Sequence, residues 1–298
     1  MNNSINTAHL DPSPDYLIMS FRPNSIATNS ILRHDRMRVI DSWVQHAIYA
    51  AYCSAGRADC QKPSPRALRK LLANLRDHIK RARSSGLVSA YYLTDDYRTD
   101  LRAVLPQVRA IIRDLDPKAP TVCGFSVPLA HRYPRSRAYQ NNKLARLRTA
   151  LTNYSPHWCD SAALYAYSPT TTSPVTVRSD WSMRATLPIA INMLKRRGWS
   201  PTSYSLIGVP QAFGFWPRTS VRGKQLHPPQ YVRAPSASQL ALQIRSFCRL
   251  GAGSIVAYVW DDGSRPSDGA ISNLSNSAEL RRGFSQGTQS CRATFWHR

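Results

Sequence analysis

From Leu87 onward, short apolar runs alternate with longer segments whose apolar residues recur at helical spacing, and this alternation constrains the fold more than anything else in the chain. The runs are Leu87–Leu93, Ala119–Val127, Ser161–Tyr167, Tyr204–Phe213 and Ser254–Trp260, with Asp15–Phe21 as an earlier sixth. Strand–helix–strand order of this kind predicts parallel strands joined by right-handed crossovers. The expected class is α/β, a (β/α) TIM-type barrel, incomplete, with about six parallel strands inside outer helices. A doubly wound open sheet is the competing architecture. No strand end carries G-x-G-x-x-G or G-x-x-x-x-G-K-[ST], so nucleotide binding has no motif support.

The run Leu87–Leu93 continues through Thr94 onto two adjacent carboxylates, Asp95 and Asp96, just before a helical pattern. Parallel α/β sheets collect their chemistry at such strand-to-helix junctions. Helices are expected at about Arg36–Cys53, with Met37, Ile40, Trp43, Val44, Ala47, Ile48 and Ala51 as its stripe, and from Ser64-Pro65 to Gly86. A further helix at Thr99–Asp114 contains Pro106, which should bend it or reset its start. Others follow at Asn142–Asn153, at Ser182–Arg197, after the cap Ser236, and at Ser277–Phe284. Gly214 to Pro235 reads as a long loop carrying Trp216, Arg218, Arg222, Lys224 and His227. The expected organisation is a flexible segment at residues 1–14, one barrel-like domain at 15–284, and a basic aromatic tail at 285–298.

Forty Lys and Arg against seventeen Asp and Glu give a formal charge of +23, which favours an anionic polymer as partner. Much of this charge falls on polar helix faces, as at Arg66, Arg69, Lys70, Arg76, Lys80, Arg81 and Arg83, where a solvated face is the plainer reading. Glu279 is the only Glu, so acid/base chemistry in this chain must run on Asp. The six cysteines show no C-x-x-C pair. Cys123 and Cys248 lie in apolar runs and read as core residues, whereas Cys53 and Cys60 flank a loop, where an oxidising compartment would allow a pairing that the sequence leaves open. His131, His157 and His227 have no E-x-x-H or H-x-H partner, so neither a metal nor a cofactor is expected. No run is long enough to span a bilayer, and the start of the chain lacks the basic and apolar regions of a signal peptide. A soluble protein is expected, extracytoplasmic if an export signal has been lost.

Tyr91-Tyr92-Leu93-Thr94-Asp95-Asp96-Tyr97 resembles the fourth-strand pattern Tyr-Leu-x-Asp-Glu-Pro of barrel proteins related to clan A glycoside hydrolases. The passage from Ile112 to Thr121 resembles the helix and fifth strand that follow it, and the likeness runs from about Asp15 to Asp262. It implies that Leu164–Tyr167 is the sixth strand, Gly208–Gly214 the seventh and Ala257–Asp261 the eighth. Asp15–Phe21 then becomes the third, and two strands are missing. Either the chain is an N-terminal truncation or its first segments build an abbreviated, open barrel whose exposed edges invite oligomerisation.

The resemblance implies a carbohydrate ligand or substrate, with the acid/base carboxylate at Asp96, where the family has Glu. At the strand-seven position of the retaining nucleophile stands Gln211, which cannot act as one, leaving an inverting route with Asp261 or Asp262 as base, substrate assistance, or no catalysis. Asp95, Tyr92, Tyr165, Tyr167, Gln211, Phe213, Trp216 and Trp260 are the candidate substrate contacts. The function so implied is that of a glycoside hydrolase-like barrel acting on or binding a carbohydrate. A non-catalytic barrel that binds a glycan or a polyanion is the alternative.

Overall fold

A computed structural model describes residues 16–19, 21–34, 38–52, 62–95, 100–127, 137–166, 179–201, 205–221, 224–232, 234–257, 270–274 and 276–295. Its strands are β1 (Tyr16–Met19), β2 (Arg38–Asp41), β3 (Val88–Asp95), β4 (Thr121–Ser126), β5 (Ser161–Ala166), β6 (Ser205–Pro210), β7 (Gly214–Val221), β8 (Lys224–Val232), β9 (Ala252–Ile255) and β10 (Ala270–Ser272). Its helices are α1 (Ile26–His34), α2 (Trp43–Tyr52), α3 (Pro65–Ser85), α4 (Leu105–Leu115), α5 (Arg137–Ala150), α6 (Ser179–Lys195), α7 (Ala237–Arg249) and α8 (Ala278–Thr294). Among the described residues no helix is long and apolar enough to cross a membrane.

One sheet runs β1-β2-β3-β4-β5-β6-β9, and every neighbouring pair is parallel. Spatial order follows chain order throughout, without the reversal that marks a doubly wound sheet. The result is an incomplete α/β TIM-like barrel, and among the described residues β1 and β9 do not pair with each other. All six expected strands have a parallel counterpart, but the one expected at Ser254–Trp260 is β9 at Ala252–Ile255, and Tyr258 to Trp260 lie outside the described residues. The added strand is β2, which the helical stripe had absorbed through Ile40. Its four residues leave too short a run for alternation to show, and the true helix starts only at Trp43, whose amide donates to the Asp41 carboxylate. Counted back from β3 as fourth strand, β2 takes the third place and β1 the second.

The two faces of the sheet differ in content. Toward the helices lies a large apolar cluster that includes Val39, Tyr91, Leu93, Cys123, Phe125, Leu164, Leu206 and Ile255. Toward the lumen lie nine buried residues, among them Ile40, Tyr92, Val122, Tyr165, Val209 and Val256. Successive side chains of each strand go to opposite faces, so both sets interleave along the same segments.

Helix α3 is bounded as its sequence demands. Ser64 accepts from the amide of Ala67, Pro65 occupies the first turn, and Gly86 closes the helix at φ 66°, a left-handed conformation that favours glycine. Pro106 resets the start of α4, which begins at Leu105. At α7 the cap is reciprocal, Ser236 accepting from Gln239 while the Gln239 side chain accepts from the Ser236 amide.

Asp41 is fully buried and ties β2 to the helix layer. One carboxylate oxygen accepts from the amides of Phe21 (3.1 Å) and Trp43 (2.8 Å), and the other lies 2.6 Å from His78 Nε2 on α3. The His78 ring stacks on Trp43 at 4.0 Å. At the foot of β4, Arg109 reaches Asp160 (2.8 Å), and Asp160 accepts from the amide and hydroxyl of Thr121. Both networks belong to the scaffold.

The segment from Gly214 onward is not a loop: β7 and β8 pair antiparallel, with β10 on the other side of β7. Prolines hid it. Pro228 and Pro229 lie in β8, an edge strand, and Pro217 falls within an irregular stretch of the β7–β8 register, the positions where a sheet tolerates a missing donor. The last helix also does not stop at Phe284 but continues to Thr294, through most of the segment set apart as a tail.

Cysteines Cys123 and Cys248 are core residues and also disulfide partners, of Cys159 and Cys291 respectively. Cys53 and Cys60 lie outside the described residues. The second bridge fastens α8 to α7, where Gly283 and Gly287 already allow the backbones close approach. A Cβ at Gly283 would lie 2.6 Å from the Ala237 carbonyl oxygen, and one at Gly287 would lie 2.8 Å from Ile244 Cβ.

Candidate functional site at the lumen mouth

Parallel strands all end on the same side, and in a barrel this side forms the mouth. Tyr92 and Tyr165, on β3 and β5, point from neighbouring positions into the lumen on either side of Gly124. A Cβ at Gly124 would stand 1.7 Å from Tyr92 Oη and 3.1 Å from Tyr165 Cε1. Glycine is required there because the tyrosine hydroxyl fills its side-chain space. The two rings form an aromatic layer across β3, β4 and β5, exposed by only 7% and 9%.

Beyond Tyr92 the alternation of β3 breaks. Tyr92 pairs with Val122, but the next pair is Thr94 with Cys123, followed by Asp95 with Gly124. One extra residue, Leu93, is therefore inserted on β3, a bulge that leaves two successive side chains on the same face. Leu93 belongs to the helix-side cluster, and Thr94 pairs with Cys123 of that cluster; both are buried, at 0% and 1%. Asp95 pairs with Gly124, whose missing side chain points at the tyrosines, so Asp95 shares the lumen face and is half-buried. Strict alternation from Tyr92 would have aimed Asp95 at the helices and Asp96 at the lumen. The bulge reverses the choice for Asp95. The Thr94 hydroxyl has no hydrogen-bond partner among the described residues.

Gln211 follows β6 and, two residues beyond the lumen-facing Val209, falls on the lumen side by alternation. It is fully buried. Its side-chain amide donates to the Phe213 carbonyl at 2.9 Å, and its backbone amide donates to Gln243 Oε1 of α7 at 3.1 Å. Phe213 is buried at the same strand end. Trp216 is on β7, opposite Ala270 of β10, rather than in an open loop. Asp96, Tyr167, Trp260, Asp261 and Asp262 lie outside the described residues. His157 is exposed, and His131 also lies outside the described residues. The structure thus brings Tyr92, Asp95 and Tyr165 together around Gly124, with Gln211 at the end of the strand next to that of Tyr165.

Burial first, and the neighbouring Asp116 carboxylate second, push the Tyr91 hydroxyl well above the ordinary tyrosine range. Its Oη donates to Asp116 Oδ2 at 3.0 Å, on the helix side and away from the mouth.

No family model matches the chain, and no curated protein matches it in sequence. Among solved structures it is similar to a chitinase from Chromobacterium violaceum, with a TM-score of 0.50, 13% identity, and coverage of 90% of this chain and 86% of that one. The fold is similar to that of the glycoside hydrolase barrels. A putative alpha-L-fucosidase from Bacteroides thetaiotaomicron (TM-score 0.49, 10% identity, 95% of this chain and 82% of that one) is a weaker match. So is a β-glucuronidase from Ruminococcus gnavus (TM-score 0.44, 12% identity, 87% of this chain), of which the chain spans 39%. Identity of this order bears on the fold alone. In glycoside hydrolase barrels, as in TIM barrels at large, sites collect at the C-terminal strand ends, the end at which Asp95 and Gln211 lie.

Proposed function

We propose that the chain acts on or binds a carbohydrate at the lumen mouth, with Tyr92 and Tyr165 as the aromatic floor and Asp95 as the carboxylate nearest the ligand. The observation that carries this reading is the bulge at Leu93, which sets a half-buried carboxylate beside two tyrosines at the strand end. A sugar presents hydroxyl donors to a carboxylate and apolar C–H surface to aromatic rings, so this pairing suits it. Hydrolysis at this mouth would use Asp95 or Asp96 as the acid and Asp261 or Asp262 as the base. An inverting pair of that kind stands roughly 6.5–9.5 Å apart.

The non-catalytic reading also has an observation in its favour. Gln211 occupies the position that the resemblance to clan A barrels gives to the retaining nucleophile, and its amide is committed to the Phe213 carbonyl, as a structural residue would be. The two disulfides among the described residues favour an oxidising compartment, which supports an extracytoplasmic setting.

A panel of neutral and charged oligosaccharides, assayed for binding and for turnover with the wild type, Asp95→Asn and Asp96→Asn, tests the proposal. The expected result is a responsive glycan whose binding weakens at least about tenfold in Asp95→Asn, as loss of a charge-assisted hydrogen bond does. Turnover by the wild type selects the enzyme reading, and binding without turnover selects the non-catalytic one. Wild-type affinity in Asp95→Asn would remove that carboxylate from the site.

A further inference from the structure

We propose that the exposed face of α3 is a docking surface for an anionic polysaccharide, one bearing carboxylate or sulfate groups, which it holds along the flank of the barrel. The proposal deepens the carbohydrate reading by naming a ligand class, and it rests on a different part of the molecule. Helix α3 carries seven basic side chains, Arg66, Arg69, Lys70, Arg76, Lys80, Arg81 and Arg83, against one carboxylate, Asp77. All eight are exposed. At about 100° per residue the seven cations fall within an arc of roughly 160°, opposite the stripe of Leu71, Leu75, Ile79 and Ala82 that packs on the barrel.

The stripe is long as well as dense. Arg66 to Arg83 spans about 26 Å at the helical rise, and the eight residues of β3 span a similar distance. Because α3 ends at Ser85 and β3 starts at Val88, Arg83 lies at the foot of the barrel and Arg66 rises to the level of the mouth. Little nearby charge neutralises it. Arg76 lies 3.4 Å from Asp114 of α4, both exposed, and Arg83 donates to the Leu115 carbonyl, which carries no charge. A linear array of mutually repelling cations is unfavourable alone and becomes favourable against a linear polyanion that releases its counterions. Arg predominates, and its planar fork matches carboxylate and sulfate. The disulfides favour a setting in which such a polymer is a polysaccharide rather than nucleic acid.

The test measures equilibrium binding to heparin and to polygalacturonate over a salt series. One variant replaces Arg66, Arg69, Lys70, Lys80 and Arg81 by Gln, sparing Arg76 and Arg83, which reach Asp114 and Leu115 of α4. A control variant replaces Arg146, Arg148, Lys195, Arg196 and Arg249 by Gln, exposed cations on other helices or, for Arg196, just past the end of α6, and so removes the same charge. The α3 variant should bind one or both polysaccharides at least about tenfold more weakly near 0.15 M salt, with a shallower salt dependence, while the control changes less than about threefold. Loss for heparin alone assigns sulfate, and loss for polygalacturonate as well assigns carboxylate. Because all five positions are exposed, an unchanged thermal midpoint is expected. Should the variant fail to fold, Asp77→Asn is read instead, and it should tighten binding. Equal loss in both multiple variants would reduce the effect to net charge and overturn the proposal. Duplex DNA of equal charge displacing both polysaccharides from α3 would overturn it in favour of nucleic acid.

Discussion

The helix-side and lumen faces of one sheet have been given opposite tasks. Toward the helices, Phe125, Leu164, Leu206 and Ile255 meet Leu75, Ile79, Ile244 and Phe247 in a large continuous core, cross-linked by Cys123–Cys159 and Cys248–Cys291. Toward the lumen the cluster is small, and it gives way near the mouth to two tyrosines, a glycine and a half-buried carboxylate. Free energy of folding is thus concentrated behind the sheet, which leaves polar groups in front of it free to be chosen for a ligand. Substitutions that separate stability from binding are the way to test that division.

The largest expected effect is on the helix side. Phe247 is fully buried and packs closely enough that a Cβ at Gly208 would lie 2.5 Å from its ring, so Phe247→Ala should destabilise by about 3–5 kcal/mol in urea unfolding. A loss under about 1 kcal/mol would mean that the outer core is looser than described. Next comes Cys291→Ser, which opens the bridge to Cys248 across 43 residues and should cost about 2–4 kcal/mol in the same assay.

Gly124→Ala sharpens the comparison from the lumen side. The added methyl must displace Tyr92, with a stability loss of about 1–3 kcal/mol. It should also weaken lumen binding, whereas Phe247→Ala should leave the affinity of the folded fraction unchanged. Isothermal titration of both variants with a responsive glycan makes the distinction.

The smallest effect is a pH dependence. Tyr91 is buried beside Asp116 and its hydroxyl titrates above the ordinary value of 10.0, so the folded protein keeps it neutral where the unfolded chain ionises it. Its contribution is fully present below pH 10 and declines above it. Between pH 10 and 11 the wild type should lose about 1 kcal/mol relative to Tyr91→Phe, measured by the urea midpoints of both proteins. Parallel curves would contradict the burial of that hydroxyl.

Much of this division can be read along the chain. The ends of α3 follow from Ser64, Pro65 and Gly86, and the strands β3 to β6 from apolar runs between helical stripes. What escapes has local physical causes. In β2 a four-residue strand abuts a helix, so Ile40 fits the helical period as well as the extended one. In β7 and β8 prolines at tolerated positions imitate a loop. Gly283 and Gly287 look like helix breakers but are contact points, because only the partner helix α7 explains the absence of their side chains. The pairing of Cys123 with Cys159 depends on β4 meeting the start of β5, which no spacing motif encodes. The choice between Asp95 and Asp96 depends on a single inserted residue, visible only when β3 is laid beside β4.

That inserted residue is open to direct measurement by thiol labelling of Thr94→Cys and Asp95→Cys in the native protein, each corrected for the wild-type background. The account predicts rapid modification of the cysteine at 95, from the mouth, and protection at 94, behind the sheet. Rapid labelling at 94 with protection at 95 would show β3 continuing its alternation without a bulge and would take the carboxylate out of the lumen.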